Sequence, residues 1–138
     1  MVHALHEAQR VLRPQGLLID LRPAPAHRRV GLQRGRRWTL VGTMKEDLSD
    51  DHSANQAVMT AVGRGLFRRE LYDRFDLKRH VGGLSLFRAW LEEFAVIGRL
   101  PPHEWLVDRV AAALRRGSAK AKVVVRGPLE MRVLRKRD

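Results

Sequence analysis

Residues 6–23, HEAQRVLRPQGLLIDLRP, place an amphipathic helix, a turn and an apolar strand in immediate succession, and the reading of that strand decides the fold. Leu5, Ala8, Val11 and Leu12 recur at helical spacing and form one stripe, while Glu7, Gln9, Arg10 and Arg13 occupy the other faces. Pro14 disfavours helical geometry at Arg13, and Gly16 can take the left-handed conformation that closes a helix, so the helix is expected to stop near Arg13. Leu17, Leu18, Ile19 and Leu21 then form a nearly continuous apolar run, broken by Asp20. That is the pattern of a strand covered on both faces.

No other strand in the chain reads that way. Val30–Gln33 and Trp38–Thr43 flank Arg34-Gly35-Arg36 as a hairpin, and Lys122–Val125 and Leu129–Leu134 flank Gly127-Pro128 as a second, very basic one. Between Leu71 and Val81 the period is two, with Leu71, Phe75, Leu77 and Val81 on one side and Tyr72, Arg74, Asp76, Lys78 and His80 on the other. Helical stripes occur at Ala54, Ala57, Val58, Ala61 and Val62, with Ser49 as N-cap and Asp50 and Asp51 in the first turn. A second stripe, Leu86, Phe87, Trp90, Leu91 and Phe94, follows a cap at Ser85. Pro101 and Pro102 open a third, carrying Leu106, Val107, Val110, Ala113 and Leu114, which Gly117 ends. The hairpins outweigh the one doubly covered strand. They predict a single α+β domain over residues 1–138: a mostly antiparallel sheet of five or six strands, with three or four helices packed chiefly on one face.

At 138 residues the chain has room for one real core, and no apolar run approaches the length of a bilayer span. Zero cysteines exclude disulfides, thiolate zinc sites and cysteine nucleophiles, and with no leader pattern the expectation is a cytoplasmic protein that does not enter membranes. Net charge is +12, from 27 Lys plus Arg against 15 Asp plus Glu. The excess gathers at Arg28, Arg29, Arg34, Arg36 and Arg37 and again between Arg115 and Arg137, whereas Glu46, Asp47, Asp50 and Asp51 form the most compact acidic group. Such a balance favours weak, non-specific association with polyanions through counterion release. The plainer reading is a set of solvated arginine faces, and aromatics do not interleave with them as a stacking platform requires.

The phrase E-x-x-R-V-L-R-P-x-G, Glu7 to Gly16, followed by the apolar strand, resembles the helix and fifth strand of class I S-adenosylmethionine-dependent methyltransferases. Gln15 stands where that family usually has glycine. The closing residues KVVVRGPLEMRVLRKR look like the antiparallel sixth and seventh strands with which such domains end, and residues 24–121 are similar only in general to the variable segment that covers substrate. The resemblance is therefore to the C-terminal part of such an enzyme. It implies a methyltransferase-like, truncated chain whose cofactor-binding half is absent, because no position matches the family's glycine-rich loop or its ribose-binding acid. Gly63-Arg64-Gly65 follows a helix instead of a strand and fails the context test for a nucleotide loop. No cofactor residue is carried over and no cofactor is expected.

Asp20 and Arg22, at the carboxyl end of the first strand, are candidates for substrate or anion contact, with a structural ion pair as the simpler role. His27, Arg28 and Arg29 are anion candidates in a loop that solvation also explains. Arg34, Arg36, Arg37, Arg126, Arg132, Arg135 and Arg137 make up the candidate basic surface. His3, His6 and Glu7 have helical spacing but lack the H-E-x-x-H order and a third ligand, so no metal site is expected. Trp38, Trp90 and Trp105 are read as core or interface, and no serine or carboxylate pair has a catalytic context. The expected function is a methyltransferase-like remnant without independent methyl transfer, acting by association with itself as a homodimer or with a partner. Two rivals stand beside it: the substrate-covering half of a split methyltransferase, completed by a cofactor-binding half, and a basic nucleic-acid-binding module.

Overall fold

The computed structural model describes residues 2–96, 103–117 and 120–138. Its elements run α1 (Val2–Val11), β1 (Leu17–Pro23), β2 (Arg29–Arg34), β3 (Arg37–Thr43), α2 (Ser49–Gly63), β4 (Phe67–Gly82), α3 (Leu84–Val96), α4 (Glu104–Arg116) and β5 (Lys122–Lys136). The fold is α+β, as the hairpin and helix patterns predict, with a five-stranded antiparallel sheet in the order β1-β5-β2-β3 and β4 also paired to β5. The chain divides into two compact units, Met1–Ala26, Leu48–Phe75 and Pro128–Asp138 forming the first and His27–Asp47 and Asp76–Gly127 the second.

In the first unit, β1 pairs antiparallel with the C-terminal half of β5, from Leu17↔Arg135 to Pro23↔Leu129. Side chains alternate across a strand, so Leu18 and Leu134, directly opposite each other, share a face. That face meets α1 and α2, where Leu5, Ala57, Val58, Ala61, Phe67 and Leu134 form the core and Leu12 and Leu18 pack against it. The opposite face of β1 is not covered: Leu17, Ile19 and Leu21 are 47%, 63% and 55% exposed. This corrects the expectation of a doubly covered strand. In this unit α1 and α2 pack on the Leu18 side of β1, which lies at the end of the strand order, so a run that is apolar on both sides is buried on one.

The turn before β1 also differs in detail. The helix ends at Val11, itself 67% exposed, and the left-handed residue is Gln15, at φ 62°, instead of Gly16. Gly16 is needed for closeness: its N–H donates to the Arg13 carbonyl at 2.9 Å, and a Cβ there would stand 2.9 Å from that same oxygen. Lys136 holds the junction from β5, its ammonium donating to the Leu12 carbonyl and its N–H to that of Gly16. A carbonyl orphaned by the helix end is thereby satisfied.

In the second unit, β2 and β3 form the predicted hairpin around Gly35, at φ 55°, and β2 pairs with β5 from Arg29↔Arg126 to Gln33↔Lys122. A bulge falls between Val30 and Gly31, where the Trp38 indole lies so close that a Cβ on Gly31 would approach it to 2.4 Å. Val30, Leu32, Val123 and Val125 pack with Phe87, Trp90 and Leu91 of α3 and Leu106, Val107 and Val110 of α4. The helical stripes are therefore as read, except that Leu86 is 59% exposed. The caps are not: Leu48 and His103 precede α2 and α4, and Ser49 and Ser85 lie inside their helices. The helix opening expected at Pro101 and Pro102 falls outside the described residues.

Both halves of the expected C-terminal hairpin belong to one strand, β5. Residues 122–126 pair with β2 and 129–135 with β1, and Gly127-Pro128 occupies the interval between these two paired stretches, where a missing N–H takes nothing from either ladder. β4 is longer than its period-two pattern, and its apolar residues Leu71, Phe75 and Leu77 remain exposed by 47%, 41% and 56%. Among the described residues no helix is long and apolar enough to cross a membrane.

Candidate functional site

The sequence candidates Asp20 and Arg22 lie on the face of β1 that carries Leu18, and the register sets them directly across from Arg132 and Glu130 of β5. Each carboxylate therefore faces a guanidinium across the ladder. Arg132 Nη1 is 3.5 Å from Asp20 Oδ2, Arg22 Nε is 3.2 Å from the same oxygen, and Arg132 Nη2 donates to Glu130 Oε2 at 3.1 Å. Arg132 Nη2 also donates to Asn55 Oδ1 of α2, and the Tyr72 hydroxyl donates to Glu130 Oε2 at 3.0 Å with its ring 5.1 Å from the Arg132 guanidinium carbon. Glu130 and Arg132 are 3% and 4% exposed.

Two acids and two arginines thus form a neutral, nearly dry network. A charge of this kind is kept inside a protein only by its partners. The network corrects the place of Arg132, which belongs to the interior and not to the basic surface. Sequence reading found Asp20 and Arg22 but missed Glu130, Tyr72 and Asn55. The available signal was the alternation Glu130, Arg132, Leu134, which in a strand sets all three on one face.

The second candidate group, residues 27–29, is engaged within its own unit. His27 Nδ1 accepts the Glu46 N–H at 3.1 Å, Arg28 donates its backbone N–H to Glu46 Oε2 at 2.8 Å and pairs with that carboxylate through its guanidinium, and Arg29 pairs with Asp76. The internal carboxylates occupy the places an external anion would take.

The remaining basic candidates behave differently from one another. Arg126 stacks 4.1 Å above the Trp38 ring, whose Nε1 donates to the Val124 carbonyl. Arg135 clasps Glu70, donating from Nη2 at 2.9 Å, and these hydrogen bonds, with those from Arg68, hold the Glu70 carboxyl down at about 2 from an ordinary 4.5. Arg137 donates its backbone N–H to the Leu66 carbonyl. Arg34, Arg36 and Arg37 are exposed at the β2–β3 turn. Of the tryptophans, Trp90 is buried in the core and Trp105 is 41% exposed, under the guanidinium of Arg109. No group of three or more His, Asp or Glu side chains that could hold a metal ion occurs among the described residues.

The other unusual surface is the open side of β1. Leu17, Ile19 and Leu21 share it with Met131, Val133 and Leu129 of β5, which are half-buried. Arg135, the charged residue of that set, is tied to Glu70. No protein-family profile, curated protein or solved structure matches the chain.

Proposed function

We propose that the chain is a methyltransferase-like association module, without methyl transfer of its own, that acts through the open face and free edge of β1, and that a second copy of the chain occupies that surface. The observation that carries this reading is the exposure of Leu17, Ile19 and Leu21 on a strand paired to β5 and placed at the end of the strand order. Exposed apolar strand edges are templates for further pairing. The sequence of β1 suits pairing with itself: an antiparallel ladder centred on Ile19 sets Ile19 against Ile19 and Leu17 against Leu21, the isologous arrangement of a two-fold dimer. In a chain of net charge +12 this surface carries no unpaired charge, so mutual repulsion acts elsewhere.

The methyltransferase likeness draws support from the pairing of the two segments that resemble the family, residues 6–23 and 122–137, along Leu17–Pro23 and Leu129–Arg135. The lack of methyl transfer follows from the missing counterparts of the glycine-rich loop and ribose-binding acid in these residues. Sedimentation velocity of the full chain tests the association. A dimer at micromolar concentration, converted to monomer by Ile19→Lys with melting otherwise preserved, is the expected result. A clean monomer throughout would overturn self-association, as a cofactor-binding half being the true occupant would require. Saturable calorimetric heat with S-adenosylmethionine would overturn the catalytic half of the reading.

A further inference from the structure

Within the second unit, the β2–β3 hairpin and α4 enclose an open cavity of about 540 Å³. Four arginines line it, Arg34 and Arg37 from the hairpin and Arg109 and Arg116 from the helix, over an apolar floor that includes Leu32 and Ala113. Their placement is specific to the fold. Arg34 and Arg37 are directly opposite each other across the hairpin, where like charges repel. Arg109 and Arg116 are two helical turns apart and so share a face of α4. Arg109 is steadied over the Trp105 ring at 5.5 Å, and Gly117 makes room for Arg34, since a Cβ there would come within 1.9 Å of its Nη2.

What sets these four apart is that they meet on one concave surface without compensation. All 15 acidic residues of the sequence lie among the described residues, and none forms an ion pair with Arg34, Arg37, Arg109 or Arg116. Other arginines of the chain are neutralised by a specific acid, Arg28 by Glu46, Arg29 by Asp76 and Arg135 by Glu70. Four guanidinium forks converging on one concave surface present a field that a single carboxylate would leave mostly unbalanced. Several phosphoryl groups in sequence match it, because each guanidinium engages two oxygens at once. The floor requires a ligand with an apolar or flat part, and the volume falls within the usual range for small-ligand sites.

We infer that this cavity binds a nucleoside di- or triphosphate, with its phosphates against Arg34, Arg37, Arg109 and Arg116 and its base on the apolar floor. The same phosphoryl chemistry occurs in a single-stranded nucleic acid, and the experiment separates the two sources. The full chain is titrated calorimetrically with ADP, ATP, inorganic pyrophosphate and a short oligonucleotide at physiological salt.

Saturable binding of ADP and ATP at one site is expected, with pyrophosphate weaker because it leaves the floor empty. Arg34→Gln combined with Arg109→Gln should weaken nucleotide binding by about tenfold or more, since two charge-assisted contacts are lost. The charge-matched pair Arg13→Gln and Arg74→Gln, exposed and outside the cavity, should leave it unchanged. All these side chains are exposed, so melting curves should coincide and any loss reads on binding. Gly117→Ala, which displaces Arg34, should reproduce part of the loss. An absence of nucleotide heat, equal losses in the control pair, pyrophosphate binding as tightly as ADP, or an oligonucleotide outcompeting ATP would each overturn the assignment. None of these substitutions touches β1, so failure here and failure of the association are read separately.

Discussion

Arg132 stands directly across the β1–β5 ladder from Asp20 and shares Glu130 with the hydroxyl of Tyr72, so one guanidinium bridges two carboxylates inside the first unit. Replacing it by methionine leaves both acids facing an apolar side chain. Arg132→Met should cost about 3–5 kcal/mol, the penalty for an uncompensated buried charge. Adding Glu130→Gln should recover a large part of it, because Asp20 and Arg22 then remain as a neutral pair. Urea unfolding of the single and double variants measures both values.

The clasp between Arg135 and Glu70 sets an acid limb of stability. The Glu70 carboxyl is held near 2 in the folded chain against 4.5 when unfolded, so the unfolded state takes up the proton first as pH falls. The contribution is fully present above about pH 4.5 and is lost as pH falls towards 2. Arg135→Gln should bring the Glu70 midpoint, followed by carboxyl-carbon NMR, back towards its ordinary value. A midpoint unchanged by that substitution would show another cause for the depression.

Gln15 holds a left-handed backbone at φ 62°, a conformation with a steric cost for any residue with a Cβ, and a glycine there would relieve it. The Gln15 side chain donates to Asp138 at 2.8 Å, but that bond is exposed and weak. Gln15→Gly should raise stability by about 0.5–1 kcal/mol, the relief of strain exceeding the added freedom of the unfolded chain. Gln15→Val should lower it. Thermal melting of the pair decides the sign.

At Gly31 the opposite holds. A methyl group would press on the Trp38 indole at 2.4 Å and on the Thr39 carbonyl at 2.5 Å, neither of which can yield without disturbing the hairpin. Gly31→Ala should cost about 1–3 kcal/mol and alter tryptophan fluorescence as the indole is pushed aside.

These residues also mark how far the sequence is legible. Helical periodicity found α3 and α4 because their stripes meet a core on one side, as in Phe87 and Trp90 or Leu106 and Val110. Gly127-Pro128 misled, because the same dipeptide that makes a turn also fits the interval where a strand changes partners. Leu17 to Leu21 misled in another way: apolarity on both sides of a strand does not say which side will be covered. Asp20 and Arg22 were visible as a candidate pair, yet their counterparts are fixed by a register that no local pattern encodes. Arg34 and Arg37 were visible as charge, while the cavity they share with Arg109 and Arg116 depends on α4 packing against the hairpin.

The pairing of β1 with β5 joins residues as far apart in sequence as Asp20 and Arg132, 112 positions from one another. A nascent chain emerging from the ribosome therefore makes β1 long before the strand that completes it. Contacts of such long range require loop closure before they stabilise anything, and they slow folding. Until β5 arrives, both edges of β1 and all its leucines are without a partner strand, so the first unit is the part whose maturation depends on synthesis reaching β5 and on protection from premature self-association.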